Sequence, residues 1–579
     1  MAKVQEKSQW IEMPLLLDWE LDQRNLGLAG PNIYSRTATD VGDYSYDSST
    51  IRQRLCNLLP QKSGETVYLK QRNTLTTSGA FFDKGGAVTT PRGIFWGNTI
   101  NRLLEFWGTT LYVWSSSDTY TTVTSQGAAT DGPGGFAEGI NSSGVAYVFA
   151  AVVTDATVVT VGAGNTAVTD TDFPASIIPM PVYLDGYIFV AQQGTRNIYN
   201  SAVGDATSWA ASTYIATEER GGNIVGLARI GKMVVALCEN SVEFFRDAGI
   251  PAPNSPLQRI SELTSTIGCV NRATIATHED HVYFVGKDSS GLVGVFRIDP
   301  SGKIGRISSP SVDFLMYQHS DSANISGVIT TWATTLTSTR PARAYMIPFH
   351  GKWYYGLHCN WGTSITSVAG APISLLYDSE FKIWIELSTS HATGTNVIPG
   401  GWPYPFGTLV NTATSSVGKR FLLQNAYGGT TDTDLARLGN DDDYETADIG
   451  GGSNASVSKA KNIITWPLMS FGHAGRKSLN GVEIALIGST APANAYTISP
   501  QPAFIHHGRY LTNSTGATPS YTSYSLAALS FNPPQGELVH YLRTNLVSFY
   551  QQWFQLALTQ LDDGGINTIR FRITAHEEQ

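Results

Sequence analysis

The sequence predicts an all-β protein: a β-propeller of roughly six to eight blades, preceded by an N-terminal segment and followed by a separate C-terminal β-domain. Three observations lead to this prediction. The composition is poor in charge and rich in glycine and aromatic residues, an apolar strand–turn–strand unit recurs along the middle of the chain, and the end of the chain alternates apolar and polar residues.

The composition is typical of strands and tight turns. Charged residues make up 15% of the 579 residues, against roughly 25% in an average soluble protein. The chain also has 57 glycines and 11% aromatic residues. Its longest apolar stretch, residues 145–153, is well short of the roughly 20 residues that span a bilayer. A formal charge of −9 argues against a general nucleic-acid binder, which needs a broad basic face.

The N-terminus and the cysteines indicate a protein made in a reducing cytosol. The apolar run at residues 14–17 is too short for a secretory signal. The four cysteines are widely spaced and contain no C-x-x-C pair, so we expect them to be reduced and mostly buried.

Residues 76–440 are predicted to form the propeller, because a strand–turn–strand unit recurs there. One copy runs from residue 181 to residue 190 around the turn Asp185-Gly186. The turns lie at residues 108, 144, 186, 231, 280, 351 and 418, at intervals of 36 to 71 residues. Blades of about 40 to 50 residues fit this spacing, with long insertions in the last two. A pair of unrelated β-sandwiches would also give irregular spacing, and the pattern leaves that alternative open.

A linker is predicted at residues 441–455, because an acidic run at 440–445 is followed by a glycine-rich stretch at 450–453. Residues 456–579 are then expected to form a β-sandwich-like C-terminal domain. Two of its strands are expected at residues 463–471 and 482–487.

The end of the chain is predicted to be a β-hairpin. Residues 554–559 and 569–574 both alternate apolar and polar side chains, and residues 562–565 supply a turn. Arg570 and Arg572 lie on the polar face of the second strand, where they could meet acidic groups of a neighbouring copy.

Residues 1–75 differ from the rest of the chain in being locally basic. Between residues 51 and 73 only Glu65 is acidic, whereas five residues are basic: Arg52, Arg54, Lys62, Lys70 and Arg72. Two interpretations fit this segment: a solvated basic edge, or a contact with an acidic partner surface or with passing DNA.

No catalytic, cofactor-binding or metal-binding residue is predicted, and no cofactor. The Gly-Lys pairs lack the phosphate-loop pattern, and no G-x-S-x-G elbow is present. His278 and His281 flank a predicted hairpin tip, where solvated turn residues are expected rather than a metal site. The acidic run 441–445 lacks the ligand order of a calcium loop. Propeller sialidases repeat an S-x-D-x-G-x-x-W turn, which residues 201–209 match only in part and once. We therefore predict that the chain is not an enzyme.

A set of turn-and-strand segments resembles the tail hub or nozzle proteins of short-tailed bacteriophages, also called packaged-DNA stabilisation proteins. The strongest part of the resemblance comprises SAVGDATSW (201–209), IVGL (224–227), ENSVEF (239–244), Gly249, PLQRI (256–260), GC (268–269), FVG (284–286), GVF (294–296) and RIS (306–308). Weaker similarity is found in CNLLP (56–60), LKQRNTLTT (69–77), and the pair at 476–477 before the strand 482–487.

The resemblance implies a structural protein of the virion tail, made in the host bacterial cytoplasm and without membrane insertion. It implies a homohexamer beneath the portal and head–tail adaptor rings, with residues 1–75 packed on the tail platform. The assembly would form the DNA-ejection conduit, retain packaged DNA, pass double-stranded viral DNA transiently, and dock tail fibre, spike or needle proteins. The alternative is a receptor-binding or glycan-degrading tail fibre or spike.

Overall fold

The chain is described from a computed structural model over the following residues: 7–13, 54–73, 75–77, 82, 91–115, 119–127, 132–161, 164–308, 312, 342–359, 373–387, 402, 404–411, 419–424, 435–438, 462–465, 477–487, 496–503, 505–506, 509–510, 524–526, 539–545, 550–551, 553–560 and 565–575.

Five strands precede the propeller. They are β1 (Lys7–Met13), β2 (Arg54–Cys56), β3 (Leu58–Ser63), β4 (Thr66–Gln71) and β5 (Leu75–Thr77).

Seven successive sheets follow in the described residues between 91 and 438, and each consists mainly of consecutive antiparallel strands. The first contains β6 (Pro91–Gly97), β7 (Arg102–Trp107), β8 (Thr110–Trp114) and β9 (Tyr120–Val123). The second contains β10 (Gly135–Ile140), β11 (Ala146–Ala151), β12 (Ala156–Thr160) and β13 (Gly164–Ala167). The third contains β14 (Ile177–Leu184), β15 (Tyr187–Gln192), β16 (Asn197–Ala202) and β17 (Asp205–Ala216). The fourth contains β18 (Ile224–Ile230), β19 (Met233–Cys238), β20 (Val242–Asp247) and β21 (Leu257–Arg259).

A short 3-10 turn, Ser261–Leu263, precedes the fifth sheet, and a second one, Arg272–Thr274, lies between its first two strands. Its strands are β22 (Gly268–Cys269), β23 (Ala276–His278), β24 (His281–Lys287), β25 (Val293–Ile298) and β26 (Ile304–Arg306). The sixth begins with β27 (Arg343–Phe349), β28 (Lys352–Cys359), β29 (Ile373–Asp378) and β30 (Ile383–Glu386). The seventh contains β31 (Phe406–Asn411), β32 (Lys419–Gln424) and β33 (Leu435–Leu438).

The seven sheets are the blades of a β-propeller, as the sequence predicts. The inner strands of successive blades pack on one another, with β24 and β23 serving the fifth blade, and β31 of the seventh blade packs on β6 of the first, so the ring closes. The outer strand of the seventh blade is β5, which comes from before the first blade and pairs with β33. The chain therefore joins its own beginning to the last blade.

The turns that mark the repeats have the predicted conformation. Asp185 and Gly186 between β14 and β15 both have positive φ, at 49° and 93°, as a two-residue hairpin turn requires. Glu279 and Asp280 between β23 and β24 also have positive φ, without a glycine. Five of the seven predicted turns join the first two strands of a described blade. The turn at residue 280 joins β23 to β24, and the turn at Gly108 joins β7 to β8, each one strand later.

The core lies between the blades, because each blade is apolar on both faces. One cluster joins the first two blades through Phe106, Leu111, Val148 and Val159, and similar clusters fill the next seams. A further cluster joins the seventh blade to the first through Val410 and Leu422 against residues such as Trp96 and Trp107.

In the described residues after 438, ten more strands follow the propeller. They are β34 (Asn462–Thr465), β35 (Lys477–Ile487), β36 (Tyr496–Ala503), β37 (Ile505–His506), β38 (Arg509–Tyr510), β39 (Tyr524–Leu526), β40 (Val539–Asn545), β41 (Tyr550–Gln551), β42 (Trp553–Gln560) and β43 (Gly565–Ala575). The strands expected around residues 463 and 482 are thus present.

These late strands pair with the earliest ones. One sheet has the order β3-β4-β43-β35-β40, with β1 also on β43 and β41 on β35. A second sheet continues the sixth blade outward in the order β27-β28-β29-β30-β2-β34-β42-β36-β39. Strand β2 pairs in parallel with β30 and antiparallel with β34, so it connects the propeller to the C-terminal strands.

The predicted terminal hairpin is wrong, although both of its strands exist. Strand β42 pairs with β34 and β36, and β43 pairs with β1, β4 and β35. Alternation with a period of two shows that a segment is a strand with two unlike faces, but it does not identify the neighbouring strand. The predicted domain boundaries at residues 75, 440 and 455 stay predictions, and the linker 441–455 lies outside the described residues.

Candidate assembly interfaces

The basic N-terminal segment forms a hairpin that presents its two lysines on opposite faces. Strands β3 and β4 turn at Gly64, which has a φ of 61°. Lys62 is paired with Val67 and Lys70 with Leu59, and these two pairs lie on opposite sides of the hairpin. Lys62 is exposed and Lys70 is half-buried. Lys62 and Lys70 therefore do not share one surface patch.

Arg72 is a buried structural residue. Its side chain is 0% exposed, Nε donates to Asn57 Oδ1 at 3.1 Å, and Nη1 donates to the Asn73 carbonyl at 2.8 Å. The guanidinium also lies 5.5 Å from the centre of the Trp402 ring. Arg72 thus anchors the chain between β4 and β5 inside the fold, and we leave it out of the predicted partner contact.

The other two predicted contact residues are placed as follows. Arg54 lies in β2, where it is paired with Thr465 of β34. Arg52 lies outside the described residues. The segment as a whole connects three parts of the chain, since β2 joins the sixth blade, β4 joins β43, and β5 completes the seventh blade.

On the polar face of β43, Arg570 contacts two acidic side chains that belong to two other strands. Arg570 Nη2 and Nε both lie 3.0 Å from Glu12 Oε2, and Arg570 Nη1 lies 3.5 Å from Glu483 Oε1. Glu12 belongs to β1 and Glu483 to β35. The next arginine along the same face, Arg572, lies with its guanidinium 5.6 Å from the Trp10 ring centre.

A cleft of about 290 Å³ opens between the fifth and sixth blades. It is lined in part by His278, Lys352, Trp353 and Asp378. The His278 ring packs on Trp353 with ring centres 4.5 Å apart, and burial lowers the pKa of His278. Lys352 Nζ lies 3.4 Å from Asp378 Oδ2, so these two charges on the wall are paired.

His278 and His281 flank a hairpin tip, as predicted. His281 Nδ1 lies 3.0 Å from the carbonyl oxygen of Glu279 in the same turn. Within the described residues, no group of three or more potential metal ligands comes together. The acidic run 441–445 lies outside these residues.

A buried histidine lies at the seam of the sixth and seventh blades. His358 is 0% exposed and lies between the rings of Tyr345, at 4.9 Å, and Trp402, at 6.3 Å. Neither of its ring nitrogens has a hydrogen-bond partner among the residues the structure covers. Burial therefore lowers its pKa to about 3, so the imidazole is neutral. The sequence contains no motif around this histidine that marks it.

Cys238 and Cys269 are free and buried, as predicted for a chain made in a reducing compartment. Burial raises the pKa of Cys238 to about 11 and that of Cys269 to about 12. Both thiols are therefore protonated at neutral pH. Across the part of the chain that the structure describes, no helix combines the length and apolarity needed to cross a membrane.

The blades, the ring closure and the paired termini define a β-propeller protein with an added layer of strands. Residues 43–333, just over half of the chain, match the family described as bacteriophage P22 Gp10, beta-propeller. The chain belongs to this family of phage tail-stabilising proteins, and it is a structural component of the virion. No curated protein sequence matches it.

Several solved structures are similar to this chain at low identity. A streptogramin B lyase is 11% identical over 62% of this chain and 96% of its own, with a TM-score of 0.35. Virginiamycin B lyase from Staphylococcus aureus is 12% identical over 60% of this chain and 94% of its own, with a TM-score of 0.33. The N-terminal domain of Nup159 is 8% identical over 67% of this chain and 98% of its own, with a TM-score of 0.31. A likeness at this level carries nothing about function.

Proposed function

We propose that the chain is the subunit of a tail nozzle in a short-tailed phage. Six copies form a ring beneath the portal and head–tail adaptor, and the ring is the conduit through which DNA leaves the head. Before ejection the ring retains the packaged DNA. The observation that carries the proposal is membership of the Gp10 β-propeller family over residues 43–333.

The charge distribution supports a conduit rather than a DNA-binding protein. The formal charge is −9, and the segment predicted to be most basic is split between an exposed, a half-buried and a buried residue. Affinity for DNA comes mainly from phosphate neutralisation by clustered lysine and arginine residues. In the described part of this segment Lys62 and Lys70 do not cluster, so we propose that DNA passes it without being held.

We propose that the chain acts without catalysis. Two deeply buried acidic groups among the described residues are used in packing: Glu105 accepts a hydrogen bond from Trp107 Nε1 at 2.8 Å, and Glu243 lies 2.9 Å from Arg259 Nε. Glu243 also accepts backbone hydrogen bonds from Glu218 and Glu219. These carboxylates are committed to the fold.

We propose that fibre or spike proteins dock at one end of the fifth to seventh blades. The three longest connections in this part of the chain join β26 to β27, β28 to β29, and β30 to β31. In a blade of four antiparallel strands, all three kinds of connection leave from the same end of the propeller. Binding residues concentrate in long surface connections between strands.

The experiment uses DNA-filled heads that were assembled without this protein. Purified chain added to them should protect the DNA from nuclease. Lys62→Glu should reduce this protection if the exposed hairpin lysine contacts an acidic adaptor, and Lys232→Glu, an exposed charge reversal on the fourth blade, is the matched control. Nuclease-sensitive DNA in the presence of saturating wild-type chain would overturn the proposed function.

A further inference from the structure

Strand β1 lies at the edge of a sheet, and its described side chains bury little surface. It pairs with β43 through seven residues, from Lys7↔Ala575 to Met13↔Ile569, and with no other described strand. Gln9, Trp10 and Glu12 are exposed, and Ile11 is half-buried. The described side chains of the strand therefore add little to the core, and its backbone hydrogen bonds carry the pairing.

The contact between β1 and β43 is nevertheless specific. Trp10 and Glu12 lie on one face of β1, opposite Arg572 and Arg570. Arg570 binds Glu12 through two nitrogens at 3.0 Å, and Arg572 lies over the Trp10 ring. A shift of the register by one residue would move both partners to the other face of the strand. The edge of β43 is thus a site for a strand that carries Trp-x-Glu.

The link between β1 and β2 is long enough that the β1 strand paired with a given β43 could belong to another chain. Forty residues, 14–53, separate the two strands in sequence. A segment of this length can extend to roughly 130 Å, several times the width of a propeller blade. Within an assembly, where a neighbour's β43 falls within the same reach, a link of this length allows β1 to pair with either copy, because loop-closure entropy changes only slowly with loop length.

We propose that β1 is exchanged in the assembled protein, so that β1 of one copy pairs with β43 of a neighbouring copy. This rests on the proposed function, which brings several copies into one ring. Exchange replaces each contact within a chain by the same contact between chains, so it costs little free energy. Each exchanged strand remains covalently part of its own chain and so ties that chain to its neighbour. Arg570 then binds Glu12 of the adjacent subunit.

The test is cross-linking between chains. Trp10→Cys and Arg572→Cys are made in separate chains, the two are mixed before assembly, and the native mass of the product is measured before oxidation. Exchange predicts disulfide-linked dimers in the assembled fraction of the mixture, and a ladder of higher species from the Trp10→Cys/Arg572→Cys double variant.

Two controls accompany this experiment. The wild-type chain reports any background from its native cysteines. The pair Lys62→Cys/Val67→Cys, which faces across one hairpin, must cross-link only within a chain.

The outcomes separate this inference from the proposed function. Assembled rings in which the double variant cross-links only within monomers overturn exchange and leave the nozzle intact. Linked dimers without a ring support exchange and contradict the nozzle. A chain that stays monomeric and unlinked contradicts both.

A second variant does not depend on cysteine chemistry. A chain that begins at residue 14 lacks β1 but keeps β43 and the propeller. If β1 is exchanged, this chain should fold as wild type and assemble at least tenfold more weakly. Assembly at wild-type concentration would overturn the inference.

Discussion

Gln424 in the seventh blade and Phe106 in the first are joined by a buried hydrogen bond, from Gln424 Nε2 to the Phe106 carbonyl at 3.1 Å. The same side chain accepts from the Gly93 backbone N–H at 3.2 Å. Gln424 is fully buried, and Trp96 N donates to Thr408 Oγ1 at 3.1 Å nearby. The seam where the propeller closes is therefore held by specific polar contacts as well as by apolar packing.

Gln424→Ala should destabilise the chain by about 2 kcal/mol, because it removes two hydrogen bonds and leaves buried backbone groups unpaired. Denaturant unfolding followed by tryptophan fluorescence measures this. Gln193→Ala removes an exposed hydrogen bond to Ser176 and is the matched control, with an expected change under about 0.5 kcal/mol. Equal effects of the two substitutions would show that the closing seam does not depend on Gln424.

Arg72 and Lys62 should respond very differently to charge reversal. Arg72→Glu places an acid in a fully buried site where Asn57 and the Asn73 carbonyl already accept hydrogen bonds, so a loss of about 3 kcal/mol or more is expected. Lys62→Glu changes an exposed side chain and should shift stability by no more than about 0.5 kcal/mol. Thermal unfolding of both variants is the measurement, and a stable Arg72→Glu chain would contradict the anchoring role.

His358 should make the chain less stable in acid. Its folded pKa, about 3, lies below the ordinary 6.5, so its contribution is complete above pH 6.5 and is lost as the pH falls towards 3. Its largest slope is about 1.4 kcal/mol per pH unit. His358→Phe keeps an aromatic ring between Tyr345 and Trp402 and should flatten the stability profile between pH 6.5 and 4. Parallel profiles for wild type and variant would show that another group titrates.

A cut in the linker 441–455 should not release the C-terminal strands. Strand β34 pairs with β2, and β43 pairs with β1 and β4, all of which precede the propeller. A protease site inserted at Gly450 allows the cut to be made cleanly. The two fragments should elute together in size-exclusion chromatography, and mass spectrometry identifies them. Elution as two separate species would show that these pairings do not hold the parts together.

The sequence predicts the fold class well and the connections between its ends poorly. Turns such as Asp185-Gly186 have local signatures, so the blades follow from residues close to one another in sequence. The pairing of β1 with β43 and of β2 with β30 joins residues hundreds of positions apart, and no local pattern encodes it. For the same reason β42 and β43 look like a hairpin although they belong to different sheets.

From the sequence, only the composition of the candidate interface could be predicted, and not its geometry. Five basic residues close in sequence suggest one patch, yet the alternation of a strand sends Lys62 and Lys70 to opposite faces. The burial of Arg72 depends on Trp402, which lies more than three hundred residues away in sequence. Likewise, the surroundings of His358 are created by Tyr345 of the same blade and by Trp402, which precedes the seventh blade, and the sequence near it shows nothing unusual.

The native mass of the purified, assembled chain tests the central claim most directly. One copy has a mass of 62.5 kDa, and native mass spectrometry resolves multiples of it. A nozzle predicts a complex of six copies. A complex of three copies would contradict the nozzle and favour a trimeric tail fibre or spike.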